Sequence, residues 1–370
     1  MKTKVTTIIG TRPEIIRMSE MIKRFDQVFD HRLIHTGQNF DTNLNEVFFD
    51  SMSIRKPDKV FALDAFSLAS QLANIFQGVE QELIQNRPDA VVILGDTNSG
   101  LSAIIAKRMG IPVYHLEAGN RSFDINVPEE TNRKIIDHTS DFNLVYSESS
   151  RRNLLQEGLH PRTICLIGSP MKEVIQANSI EIEKSTILEE LQLLTGGFIL
   201  VSVHRQENTN KEERISMLFD SLNQIATSFE IPVIVTTHPR TREMIEKSEN
   251  SFHNQVKFLD PFDFYSYCKL QKNAKVVLSD SGSLSEETAI LGFRAITLRD
   301  SMERPEALET GTVLMSGLNF SAIKEAIYVL ESSKFIPQSP IEYQIGDSSE
   351  RTVRFILSTL GRHGFWSGKR

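Results

Sequence analysis

The chain has 370 residues, enough for two domains at about 150 residues each. It is 40% hydrophobic, 24% charged and 8% aromatic, an ordinary globular balance, and its 41 Lys+Arg against 48 Asp+Glu leave a net charge of −7, which argues against a general nucleic-acid binder. No apolar run approaches the ~20 residues of a membrane span, the two cysteines, Cys165 and Cys268, form neither a disulfide framework nor a CxxC, and no signal-peptide layout precedes the first strand pattern, so a cytoplasmic protein is expected.

Short β-branched apolar runs alternate with longer amphipathic stretches through the first half. Strands are predicted at Val5–Ile9, His31–His35, Ala90–Leu94, Pro112–Leu116, Phe142–Tyr146 and Thr163–Ile167. Helices are predicted at Pro13–Phe25, Phe66–Gln85, Gly100–Arg108, Glu129–Thr139 and Ser149–Glu157. In the second of these helices, Leu68, Leu72, Ile75, Phe76, Val79 and Leu83 recur at helical spacing and predict one buried stripe. Strands apolar on both faces, alternating with helices, predict a parallel sheet covered by helices.

The pattern then restarts. Ile199–Val203, Val233–Thr236, Val256–Leu259, Lys275–Leu278, Ala295–Leu298 and Thr312–Met315 read as strands, and 211–228, 262–271, 284–291 and 320–332 as helices. The stretch 169–196 is polar, leans helical and ends in Gly196-Gly197, which places a linker near 168–172. Val353, Ile356, Leu357 and Leu360 predict a closing amphipathic helix within 351–370 that packs back on the first domain. The expectation is an α/β protein with two Rossmann-like domains, 1–168 and 169–350, each built on a parallel sheet, with a cleft between them. Ligands of such sheets bind at the carboxyl ends of the strands, so the residues there carry the functional reading.

Ile8-Ile9-Gly10-Thr11-Arg12-Pro13-Glu14 is a strand, a glycine turn and a helix start, where a phosphate would find free N–H groups and Arg12; it also reads simply as a tight βα turn. Leu94-Gly95-Asp96-Thr97-Asn98-Ser99-Gly100 sets a carboxylate past an apolar strand, and Asp96 reads equally as a helix cap. His115-Leu116-Glu117-Ala118-Gly119-Asn120-Arg121 ends another strand, and Pro128-Glu129-Glu130-Thr131-Asn132-Arg133 opens a helix whose acids suit the helix dipole. Together Asp96, Glu117 and Glu129 suggest converging carboxylates that raise one another's pKa toward neutrality. In the second half, His204 in Val203-His204-Arg205-Gln206-Glu207-Asn208 and, more weakly, His238 are candidates for a leaving phosphate. Ser281, Gly282 and Ser283 can present N–H groups and hydroxyls to a diphosphate at a helix start, and Glu287 could hold ribose hydroxyls. Arg299 and Arg304 add positive charge in Arg299-Asp300-Ser301-Met302-Glu303-Arg304. No GxGxxG, GxxxxGKS, HExxH or zinc spacing occurs, which lowers NAD, P-loop and metal readings.

Taken together, GTRPE, LGDT, HLEAGNR with PEETNR, VHRQEN, SDSGSLSEE and RDSMERPEALETGT, in this order over nearly the whole chain, resemble the non-hydrolysing UDP-N-acetylglucosamine 2-epimerase family. The resemblance implies a fold of the glycosyltransferase-B type, with UDP between the domains, and inversion of C2 of a UDP-2-acetamido sugar by UDP elimination and re-addition. It implies no metal and no cofactor, and a homodimer without nucleic-acid or membrane partners. By motif, Asp96, Glu117 and Glu129 resemble the family's acid/base carboxylates, and His204 its active-site histidine. Arg12, Ser281, Gly282, Ser283 and Glu287 match UDP-binding positions, and Arg304 a further basic position. Arg133 closes the PEETNR motif. Tyr267 falls where the family often carries a Phe near the uracil, and keeps an aromatic face.

The chain departs from the family pattern in several places. Arg17 stands where Lys is common, which is no neutral swap beside a phosphate or acid. Thr36-Gly37-Gln38-Asn39 replaces TGQH, near the second, activating nucleotide-sugar site of some bacterial members. Gly119-Asn120-Arg121-Ser122 replaces GLRT, Gly168-Ser169-Pro170 replaces the GN motif, and SDSGG becomes SDSGS. With the segment 37–49 and GNRSFD at 119–124, these changes resemble the subgroup that makes UDP-N-acetyl-L-fucosamine from UDP-2-acetamido-2,6-dideoxy-L-talose for capsule and O-antigen. The alternatives are UDP-GlcNAc/UDP-ManNAc epimerisation, a hydrolysing relative and, from another class, a glycosyltransferase on the same fold.

Overall fold

The structure, a computed structural model, describes residues 2–38, 49, 51–62, 67–205, 208, 211–237, 242, 245 and 251–368. His238, Gln206, Glu207, Asn39 and the rest of 40–48 lie outside the described residues, as does Phe66 at the predicted helix start. Two compact units emerge, Met1–Val174 with Glu342–Arg370, and Ile175–Ile341.

The first unit holds a seven-stranded sheet of order β3-β2-β1-β4-β5-β6-β7. Its strands are β1 Lys4–Ile9, β2 Asp30–His35, β3 Lys59–Val60, β4 Ala90–Leu94, β5 Val113–Leu116, β6 Phe142–Val145 and β7 Ile164–Leu166. Every pairing is parallel. All five residues of β4 are buried, the signature of a strand covered on both faces. The second unit repeats the plan with a six-stranded sheet of order β10-β9-β8-β11-β12-β13, again parallel throughout. Here the strands are β8 Ile199–Ser202, β9 Val233–Thr236, β10 Val256–Leu259, β11 Val276–Ser279, β12 Ala295–Thr297 and β13 Val313–Met315. In each sheet the chain grows outward on one side and then returns to the other side of its first strand. The switch points are therefore β1/β4 and β8/β11, where such sheets present loops to a ligand.

Helices close the sheet faces. Helix Leu68–Gln85 buries Ile75, Val79 and Leu83 against Val91, Ile93 and Val113. Leu68, expected on that stripe, is 63% exposed, because it occupies the first position after the Ser67 cap, beyond the edge of the core. The short strand β3 was not expected; its two residues are too few for a periodic signal.

The unit boundaries fall at Val174 and Glu342 rather than near 168 and 350. Local packing explains the shift. A Cβ on Gly168 would sit 2.5 Å from Ile345 Cβ and 2.8 Å from the Glu342 carbonyl oxygen, so these segments are in close contact. Ser349 donates its backbone N–H to Glu173 at 3.1 Å, and Ser348 Oγ donates to the Ser169 carbonyl at 3.3 Å. The closing helix, Ser348–Thr359, packs on the first unit. Arg24 Nη2 lies 2.8 Å from Glu350 Oε2, and Thr359 and Tyr114 hydroxyls share a 2.8 Å hydrogen bond. Its buried stripe is Thr352, Val353, Ile356 and Thr359; Leu357 faces solvent instead of the core.

Candidate active site

In the first unit, the carboxyl ends of β1, β4 and β5 are tied together by polar side chains. Glu14, in the first turn of helix Arg12–Val28, is buried and accepts from Gly10 N–H at 2.9 Å, Thr11 Oγ1 at 2.8 Å and Thr97 Oγ1 at 3.2 Å. It thus joins the turn after β1 to the turn after β4. Burial pushes its carboxyl up to about 7, against the lowering pull of those donors. Three residues on, Arg17 sends Nη1 to Glu117 Oε2 at 2.6 Å. Glu117 follows β5 with φ +65, a left-handed conformation that costs a non-glycine residue roughly 1–3 kcal/mol. Gly95 (φ +68) and Gly119 (φ +82) make the adjoining turns. Gly119 must be glycine: a Cβ there would lie 2.3 Å from the Ser150 carbonyl oxygen.

Asp96 faces Arg133 of helix Pro128–Thr139, whose Nε and Nη2 each lie 2.8 Å from Asp96 Oδ2. Arg133 Nη1 also donates to Glu130 Oε2 at 3.1 Å, and that oxygen accepts from Ser122 N–H and Oγ. Glu129 is half-buried beside it, while Glu130 is the buried acid of the pair. Asp96 and Glu117 thus each meet a guanidinium, and burial raises the carboxyl of a further acid, Glu14, to about 7. Arg12 is half-buried at the start of its helix, and burial lowers its pKa.

The second unit is organised around Asp280, fully buried just after β11. Its carboxylate accepts from His204 N–H at 3.1 Å, Arg205 N–H at 3.1 Å and Asn208 Nδ2 at 3.0 Å, so it locks the turn after β8 to the turn after β11. The His204 ring stays 48% exposed, with Nδ1 at 3.4 Å from Asp280. Ser281 and Ser283 hydroxyls share a 2.9 Å bond at the start of helix Leu284–Leu291. Arg304 is buried, donates to the Gly282 carbonyl and lies 3.2 Å from Glu286 Oε2. A Cβ on Gly282 would meet Glu303 Oε1 at 2.5 Å, Arg304 Nη1 at 3.1 Å and Arg205 Nη2 at 3.3 Å, so a larger residue would have to displace these charged side chains. Glu287 accepts from Gln271 Nε2 at 2.6 Å. Tyr267 is half-buried on the neighbouring helix, Phe264–Asn273, and its hydroxyl pKa is raised by burial and then by the charge of Glu287.

A sequence profile described as UDP-N-acetylglucosamine 2-epimerase matches residues 22–357. The chain belongs to the UDP-N-acetylglucosamine 2-epimerase family. It is 32% identical to a UDP-N-acetylglucosamine 2-epimerase of Methanocaldococcus jannaschii, over 97% of this chain and 100% of the relative. It is 30% identical to a UDP-2,3-diacetamido-2,3-dideoxy-D-glucuronate 2-epimerase of Pseudomonas aeruginosa, over 95% and 99%. Among solved structures, a UDP-N-acetylglucosamine 2-epimerase from Rickettsia bellii superposes with a TM-score of 0.92 at 39% identity, covering 98% of each chain. The M. jannaschii enzyme in complex with UDP-GlcNAc and UDP gives 0.89 at 31% identity, over 96% and 100%. A glycosyltransferase of kitacinnamycin matches at 0.61 with 9% identity, a likeness of fold alone. As a member of this family the protein is an isomerase with a glycosyltransferase-B-like fold.

The epimerase's sequence-predicted residues sort cleanly between the units. Arg12, Arg17, Asp96, Glu117, Glu129 and Arg133 belong to the first, and His204, Tyr267, Ser281, Gly282, Ser283, Glu287 and Arg304 to the second. Within each unit Asp96, Glu117, His204 and Ser281, Gly282 and Ser283 follow strand ends, while Arg17, Glu129, Arg133, Tyr267 and Glu287 sit on the helices after them. Sequence reasoning passed over Glu14, Asp137 and Asp280 as individual residues and read Glu130 only as a helix-stabilising acid. Each is a carboxylate that accepts several donors inside the turn network, and its partners are visible only once strands are paired. Among the described residues no helix is long and apolar enough to cross a membrane, and no group of His, Cys, Asp and Glu could hold a metal ion.

Proposed function

We propose that this epimerase inverts C2 of UDP-2-acetamido-2,6-dideoxy-L-talose to give UDP-N-acetyl-L-fucosamine, by eliminating UDP and adding it back. A carboxylate takes the C2 proton while the C1–O bond breaks; that bond's electron pair leaves with UDP, and a 2-acetamidoglycal remains. A proton then reaches C2 on the opposite face as the UDP oxygen re-forms its bond to C1. Glu117 and Asp96 carry these protons, with Glu129 as the third acid, and Arg17 and Arg133 orient the first two. Arg12, His204 and Arg304 offset charge on the departing diphosphate. Ser281, Gly282 and Ser283 bind it through N–H and hydroxyl groups, Glu287 takes the ribose hydroxyls and Tyr267 faces the uracil.

The observation that carries the epimerase chemistry is the pair of guanidinium-held carboxylates on adjacent strand ends, Glu117 with Arg17 and Asp96 with Arg133. The loop between them and helix Pro128–Thr139 supports the 6-deoxy substrate. It presents Phe123 (76% exposed) and Ile125 (95% exposed), apolar groups suited to a C6 methyl rather than a hydroxymethyl. The second reading is UDP-GlcNAc/UDP-ManNAc epimerisation, favoured by the relatives that carry that name at 31–39% identity. The resemblance also suggests a cytoplasmic homodimer serving capsule or O-antigen synthesis. Each UDP-sugar is incubated with enzyme in D2O, without acceptor, and deuterium at C2 is read by NMR. Label in the 6-deoxy-L-sugar is expected. Turnover of UDP-GlcNAc alone selects the second reading, and accumulating UDP with free sugar indicates hydrolysis.

A further inference from the structure

Asp137 lies in helix Pro128–Thr139, away from the residues assigned to chemistry, and is fully buried. Its two oxygens accept the Gly119 N–H at 3.2 and 3.1 Å. Arg121 Nη1 donates to Oδ2 at 2.7 Å. On its other side, Oδ1 lies 2.9 Å from His115 Nδ1, a close contact outside hydrogen-bond alignment, and the opposite ring nitrogen of His115 is 2.9 Å from the Gly95 carbonyl oxygen. His115 is as buried as its partner. One carboxylate therefore reaches two turns. Gly119 is two residues past Glu117, and Gly95 immediately precedes Asp96.

Both turns need such a restraint. Glu117, Gly95 and Gly119 all have positive φ, and for Glu117 that conformation survives only where surrounding contacts over-determine it. Arg121 closes the arrangement: it is buried, grips Glu157 through two 2.7 Å contacts and donates to the Asn120 carbonyl at 2.8 Å. We propose, on the reading of Asp96 and Glu117 as the proton carriers, that Asp137 acting through Gly119 and His115 is a positioning residue that holds both carboxylates in their reactive geometry. Helix Pro128–Thr139 then serves both carriers, Asp96 through the buried Arg133 and Glu117 through Asp137.

The test uses the full-length enzyme and three variants. Asp137→Asn keeps the shape but loses one acceptor; His115→Gln removes the ring that touches both Asp137 and Gly95, leaves the Gly119 link in place, and stands in if the first variant does not fold. Glu82→Gln is the control, since Glu82 is another buried acid, on helix Leu68–Gln85 and 2.5 Å from Arg32 of β2. A displacement of about 1 Å at a reacting group costs on the order of 100-fold. Asp137→Asn and His115→Gln should therefore lower kcat for C2 deuterium exchange by about 10- to 100-fold, with UDP affinity changed less than about twofold. Glu82→Gln should melt earlier yet keep kcat. A kcat for Asp137→Asn within about twofold of wild type, or an equal loss in Glu82→Gln, overturns the proposal. Amide hydrogen exchange reads the restraint independently of turnover: residues 117–119 should exchange at least about tenfold faster in Asp137→Asn, and unchanged protection there also overturns it. Absence of C2 exchange in the wild-type enzyme would instead defeat the functional reading.

Discussion

The burial of Glu14 makes the stability of the first unit depend on pH in a calculable way. Its carboxyl has a pKa of about 7 in the folded chain against 4.5 in the unfolded one, chiefly through loss of water. A folded pKa above the unfolded value means that the native state holds the proton more tightly. The stabilisation is complete below about pH 4.5 and is lost as pH rises through 7. With those two values, linkage gives a loss on the order of 2–3 kcal/mol between pH 5 and pH 8. Glu14→Gln removes this titration at nearly constant shape. Its carbonyl still accepts from Gly10 N–H and Thr11 Oγ1, and its amide can donate to the Thr97 hydroxyl, which rotates to accept. Urea unfolding followed through Trp366 is the assay, because this single tryptophan sits in the first unit, against Phe142 at 6.4 Å and Arg162 at 5.2 Å. Measured at pH 5, 6, 7 and 8, the variant should gain on the order of 2–3 kcal/mol on the wild type across the series. Parallel pH profiles for the two proteins would refute the assignment of a raised, buried carboxyl.

Two further substitutions test the turns. Gly119→Ala puts a methyl 2.3 Å from the Ser150 carbonyl at φ +82, and should cost roughly 3 kcal/mol, read as a lower melting temperature by Trp366 fluorescence; a Tm within about 2 °C of wild type contradicts the geometry. Asp280→Ala strips a buried acceptor from His204 N–H, Arg205 N–H and Asn208 Nδ2, and should cost roughly 3–5 kcal/mol in the second unit and weaken UDP at least tenfold by calorimetry. UDP binding at wild-type strength in that variant would show that the turn after β8 does not depend on Asp280.

The sheet strands were legible because burial on both faces writes them as continuous Val/Ile/Leu runs. Ala90–Leu94 and Val233–Thr236 match residue for residue. Helix edges were less so. Leu68 and Leu357 fit a helical stripe by spacing, yet lie where the helix has passed beyond its partner, and spacing does not record where the neighbouring element ends. The unit boundary moved for a related reason. The stretch near 168 reads as a linker by composition, but the packing of Gly168 against Ile345 depends on a segment far along the chain. At the site, the exposed or half-exposed residues placed past strand ends, such as Asp96, Glu117 and His204, could be found by position alone. Arg17 and Arg133 were also named, but which carboxylate each meets could not be read, since Arg17 and Glu117 stand a hundred positions apart.

What remained hidden follows one rule in both units. Asp137 and Asp280 are each buried, each follows or faces a strand end, and each spends its oxygens on donors from the turns around the switch point. In a sequence they look like an ordinary helix acid and one member of a small-residue loop. A parallel sheet leaves its catalytic turns without ladder hydrogen bonds, so their N–H groups need acceptors from elsewhere once water is excluded. A carboxylate satisfies several of them at once and does so with charge-assisted bonds. On the proposed reading, an inward-facing acid holds the backbone beneath the side chains that would meet substrate. On this argument, changes of substrate in the fold should fall on outward loops such as that carrying Phe123 and Ile125, while the inward acids stay tied to the backbone geometry that any C2 chemistry requires.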